Sequence, residues 1–151
     1  MILAAVGDTP YRIVLILHIL SFMVAFAPAF VHPLVGRQSR SIDDPNFRKI
    51  VGMLAANGRK IYAPALIVTG LLGFALQGMS SGTWKFDQGW MIGALVVWIA
   101  MNGVLHGLLL PNERKLADGD DDAENIINIG GAIVTVLLLV MLCLMVFKPG
   151  L

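Results

Sequence analysis

Residues 125–147 read NIINIGGAIVTVLLLVMLCLMVF, a run without a single Asp, Glu, Lys or Arg. A helix rises about 1.5 Å per residue and needs about 20 apolar residues to cross a bilayer core. This run meets that length, and so do Ile13–Gly36, Ile61–Trp84 and Gln88–Asn112, which are equally free of charge. None has the apolar–polar alternation of a membrane β-strand. Backbone groups in lipid must be paired within their own segment, so each run is expected to be a helix. The expected class is all-α: four transmembrane helices at about 12–35, 60–79, 89–110 and 125–147, in one membrane domain covering residues 1–151. Short connections predict an antiparallel up-down bundle.

The composition agrees. Of 151 residues, 57% are hydrophobic and 14% charged, against about 25% charged in soluble domains. Mean hydropathy is +0.78. Such a chain cannot hide its apolar surface as a soluble monomer, and it is too apolar to be disordered. A net charge of +1 suggests no nucleic-acid partner. Cys143 stands alone, which excludes an internal disulfide. The first helix has no basic n-region and no small-residue cleavage motif, so it reads as a retained anchor.

The bases set an expected orientation. All except Arg12, Lys85 and Lys148 fall between helices 1 and 2 (Arg37, Arg40, Arg48, Lys49, Arg59, Lys60) or between helices 3 and 4 (Arg114, Lys115). The positive-inside rule then places both termini outside, in a bacterial inner membrane with a periplasm beyond it. Arg37, Arg40, Arg48, Lys49, Arg59 and Lys60 are candidates for contact with lipid headgroups or a partner. Trp84 and Trp90 fall where interfacial anchors are expected.

Between helices 1 and 2, Asp44-Pro45 is a good helix start. Phe47, Ile50, Val51 and Leu54 then recur at i, i+3, i+4, i+7. The favoured expectation is a short amphipathic helix at about 45–57, lying on the membrane face. The alternative is an extension of helix 2 bent at Asn57-Gly58. Pro111 is expected to stop helix 3, and the acidic stretch from Asp118 to Glu124 to form a solvated loop or to dock a basic partner. Small residues mark expected packing seams: Ser21, Ala25 and Ala29 on helix 1, Thr69 and Gly73 on helix 2, Gly103 and Gly107 on helix 3.

Polar side chains within the spans are functional candidates by default, because burying them in lipid is costly. Trp98, Asn102 and His106 follow at i, i+4, i+8 and form one polar face. His18, His32 and His106 are candidate haem ligands, since neutral imidazole ligates iron. Depth sorts them: His18 lies roughly 10 Å below the start of helix 1 and His106 roughly 24 Å below the start of helix 3. His106 therefore pairs better in depth with His32. No convergent catalytic set and no metal motif is visible, so no catalytic residue and no metal ligand is assigned.

One further pattern involves Leu17-His18-Ile19, then Arg59-Lys60-Ile61-Tyr62 with Pro64, Gly70 and Gly73, then Gly89-Trp90-Met91. This order loosely resembles the small four-helix bacterial membrane proteins of the HemJ/CopD-like group. The resemblance implies a four-helix membrane bundle and, in HemJ-type members, a haem ligand at the position of His18. Those members have a lysine after the Trp-Met pair, where this chain has Ile92-Gly93-Ala94. The match is therefore nearer to the group's uncharacterised members, which imply no activity.

Three functions follow as expectations. The first is a structural or accessory subunit of a larger membrane complex, with membrane lipids and other membrane subunits or further copies as partners. The second is a b-type haem protein with His18 or His106 as axial ligand. The third is a small transporter or proton path along Trp98, Asn102 and His106.

Overall fold

Every regular element in the computed structural model is a helix among the residues it describes, 5–41 and 46–149. The elements are α1 (Thr9–Ser41), α2 (Phe47–Asn57), α3 (Ala63–Gly78), α4 (Gly89–Val104), α5 (Leu110–Asp118) and α6 (Ala123–Phe147). Single π turns at Gly58–Tyr62 and Leu105–Leu109 join α2 to α3 and α4 to α5. Four helical stretches are long and apolar enough to cross a membrane: Thr9–Val35, Phe47–Gly78, Gly89–Asp118 and Ala123–Phe147. The chain is a multi-pass, four-helix membrane bundle. One end, the terminal face, has the 79–88 turn, the start of α1 and the end of α6. The other, the basic face, has the α5–α6 turn.

The two π turns share a design. The amide of Ala63 bonds to the Gly58 carbonyl and that of Leu110 to the Leu105 carbonyl, each five residues back. Each of these residues is followed by a proline, Pro64 or Pro111. A proline inside a regular helix lacks a donor and collides with the carbonyl four residues earlier. The extra residue of a π turn widens the preceding turn and relieves that collision. Pro111 therefore does not stop helix 3, contrary to the sequence expectation, and the helix continues to Asp118.

The surface helix is also corrected. Residues 47–57 are helical, but Asn57 and Gly58 stay in the right-handed helical region and the chain runs straight on into α3. The apolar stripe finds protein rather than lipid: Val51 is buried with Leu116 of α5 and Ala123 of α6, and Phe47 packs beside them. Gly52 brings α2 close to α5, a methyl there falling 3.6 Å from Ala117 Cβ. The start expected at Asp44-Pro45 and the side chain of Arg40 lie outside the described residues.

The α5–α6 turn is fixed by a Schellman motif. Gly119 adopts φ +111, its amide bonding to the Leu116 carbonyl and that of Asp120 to the Lys115 carbonyl. Arg48 fills the space beside Gly119. It donates to the Leu116 carbonyl at 3.2 Å and to Asp121 at 3.1 and 3.3 Å. Part of the acidic stretch is thus engaged within the chain.

Pairing decides where space is left. α1 packs along α3 and α4 along α6, while the two pairs touch more briefly. They share a core of Phe26, Leu66, Ala94, Val97, Met101, Leu138 and Met141. Ser21 and Thr69 do form a seam, their hydroxyls 2.9 Å apart. Gly103 and Gly107 do not: a methyl at either would meet nothing within 4 Å. The packing face of α4 runs through Trp90, Ala94, Val97 and Met101, which turns those glycines outward.

Candidate functional site: a cavity in the terminal half of the bundle

Between the two helix pairs lies a cavity of about 410 Å³ lined by all four spans. Ligand pockets of proteins typically measure about 300–1,000 Å³. Its walls are mostly aromatic, aliphatic and methionine side chains, among them Phe22, Phe74, Met101, Met141 and Met145. A few polar groups converge on it: His18, Thr69, Gln77 and Lys148.

His18 is oriented by α3. Its Nδ1 lies 2.9 Å from the Thr69 carbonyl. A carbonyl only accepts, so Nδ1 donates, and in the neutral ring Nε2 holds the lone pair. Ligating histidines are commonly fixed this way, by a backbone carbonyl on the other ring nitrogen. Gly73 makes the approach possible: a methyl there would come within 3.4 Å of His18 Cε1. Ser21 completes the support, donating to the His18 carbonyl at 2.9 Å.

Trp98 forms another wall. Its indole N–H donates to the Leu66 carbonyl at 2.9 Å, and its ring lies edge-on to Phe74. Gly70 sits under that ring, where a methyl would be 2.5 Å from Cζ2 and 2.6 Å from Nε1. At the terminal face, Trp84 and Trp90 stack edge to face at 5.7 Å. Trp84 donates to Tyr11 Oη at 3.0 Å. The Lys148 ammonium lies 3.9 Å from the Trp84 ring centre and 5.7 Å from that of Trp90, a cation–π arrangement. Trp90 is only 4% exposed, so it closes the cavity rather than facing lipid as an interfacial anchor would.

No family model, curated protein or solved structure matches this chain.

The three histidines lie in three different places. His18 lines the cavity. His32 lies near the basic face, its Nδ1 3.6 Å from Glu113 Oε1 and its ring edge-on to Tyr62. His106 is exposed, on the wall of a separate groove with Arg59, Arg114 and Lys115. Of the face expected from Trp98, Asn102 and His106, Trp98 alone lines the cavity, and Asn102 donates back to the Trp98 carbonyl at 2.9 Å.

Two buried residues were not singled out by sequence reasoning. Glu113 is 9% exposed and Asn112 is 6% exposed. Glu113 Oε2, Asn112 Oδ1 and His32 Nε2 are buried without a hydrogen-bond partner among the described residues. Glu113 lies just past the uncharged run Gln88–Asn112 and beyond Pro111, where the sequence predicts the helix to end. The π turn before Pro111 is what keeps Glu113 in the bundle.

Proposed function

We propose that this chain holds an apolar, ring-bearing cofactor in the terminal-half cavity, with haem b as the candidate and His18 as its axial ligand. The observation carrying this reading is the imidazole of His18 on the cavity wall, with Nδ1 tied to the Thr69 carbonyl and Nε2 left as the lone-pair nitrogen. The donor set fits the group. Imidazole and thioether are haem ligands, and Met101, Met141 and Met145 line the same cavity. Lys148 supplies a cation at its mouth for an anionic substituent. Bound haem would supply one-electron redox chemistry. The chain's own contribution is to orient the imidazole through Thr69 and to keep water from the apolar walls.

The test is the visible spectrum of the full chain purified in mild detergent, reduced minus oxidised. A Soret band that disappears in His18→Ala and persists in His106→Ala supports the assignment. Protein that stays colourless after haem is added overturns it.

The basic face is proposed to lie inward, with both termini in the periplasm of a bacterial inner membrane. A periplasm-specific reporter fused after Leu151 should be active, and an inactive fusion would reverse the orientation. A second reading, an accessory subunit, is favoured by exposed acids and bases side by side on the basic face, where Lys49, Arg59, Asp118 and Asp122 are all exposed. Co-purification of colourless protein in fixed ratio with a larger complex would support that reading.

A further inference from the structure

The second concavity of the molecule is chemically unlike the first. It lies near the basic face, has a volume of about 610 Å³, and is lined by Arg59, His106, Pro111, Arg114, Lys115 and Asp118. The π turns build it. Arg59 stands on the first and His106 on the second, and α5, which continues because of the second, contributes Arg114 and Lys115. Three permanent cations face one acid. That acid, Asp118, lies 3.8 Å from Arg114 Nε with both side chains mostly exposed, an arrangement that neutralises little.

Depth agrees with charge. Counting at 1.5 Å per residue, His106 lies about 26 Å from Gly89, and Arg59 about 28 Å from Gly78. Both therefore reach the far edge of a hydrocarbon layer about 30 Å thick. Lys115 lies about 39 Å from Gly89 by the same rise, at the outer margin of the headgroup layer. One turn before His106, toward the membrane centre, Gly103 is open to its surroundings, as is Gly107 beside it. A lipid phosphate between Arg59 on the inner side of the groove and Arg114 and Lys115 on its outer side would have its acyl chains alongside those glycines. Basic pockets between transmembrane helices suit anionic headgroups in this way.

We propose that this groove is a binding site for one anionic phospholipid, its phosphate held by Arg59, Arg114 and Lys115. The site is separate from the cavity that contains His18, and it stands or falls independently of the haem assignment.

The experiment is native mass spectrometry of the full chain in detergent, titrated with phosphatidylglycerol or with phosphatidylcholine of the same acyl length. Phosphatidylglycerol should be retained at least tenfold better. Each cation removed should weaken retention about fivefold, so Arg114→Gln with Lys115→Gln should nearly abolish the preference. Arg114→Lys with Lys115→Arg should preserve it, as should Lys85→Gln on the opposite face. All of these side chains are exposed, and a thermal melt checks that each variant folds. Equal retention of the two lipids, or undiminished preference in the double Gln variant, overturns the proposal. So does displacement of phosphatidylglycerol by millimolar inorganic phosphate, which would make the groove a site for a soluble anion.

Discussion

Gly70→Ala is the sharpest test of how the two helix pairs meet. A methyl at Gly70 would sit inside the Trp98 ring, 2.5 Å from Cζ2 and 2.6 Å from Nε1. The ring cannot simply swing away, because its N–H is held at 2.9 Å by the Leu66 carbonyl and it packs at right angles to Phe74. Forcing extra volume into a packed site costs about 1–3 kcal/mol. Losing an interhelical hydrogen bond in a membrane adds about 1 kcal/mol. The better helix propensity of alanine returns about 0.5–1 kcal/mol. The expected net loss is therefore about 1–3 kcal/mol. It is measured by denaturation in mixed micelles of mild detergent and sodium dodecyl sulfate. Gly131→Ala is the control, since a methyl there meets nothing within 4 Å, and it should leave stability unchanged or raised. In a Trp98→Ala background the clash is gone, so Gly70→Ala should then leave stability unchanged or raise it by up to about 1 kcal/mol. Equal cost in both backgrounds would refute the proposed contact between α3 and Trp98.

Two other substitutions probe the basic face. Glu113→Ala removes the carboxylate beside His32 and leaves that half-buried imidazole without its partner; a loss of about 1–3 kcal/mol is expected in the same denaturation assay, with Glu113→Gln milder, and unchanged stability would count against the His32–Glu113 pair. Gly119→Ala places a side chain at φ +111 and 3.3 Å from Arg48 Nη1; left-handed backbone costs a non-glycine residue roughly 1–2 kcal/mol, so the variant should unfold at lower denaturant than Asp120→Ala, and the reverse order would contradict the turn geometry.

What could be read from the chain, and what could not, divides along a physical line. Hydropathy is a one-dimensional signal imposed by the bilayer, and an uncharged run of sufficient length has few alternatives to a spanning helix. The four spans and their alternating directions were legible on that basis. Which way each helix is turned about its axis was not. Counting Trp98, Asn102 and His106 as one face assumes a uniform turn, and the π turn at Leu105–Leu109 inserts a residue just where His106 stands. The small residues Gly103 and Gly107 looked like a seam by spacing alone, yet the bulkier face of α4 took the packing role.

The sequence by itself determined the solvent and the number of crossings, because 14% charged residues gathered outside four runs leave the chain no other arrangement. Tertiary structure decided everything that depends on partners across the bundle. It turned the amphipathic residues 47–57 onto α5 and α6 instead of the membrane surface. It drew Glu113 into the bundle against His32, and it separated three histidines that composition alone treats alike. The cause is the pairing of α1 with α3 and of α4 with α6, which opens a cavity around His18 that no periodicity along one helix records.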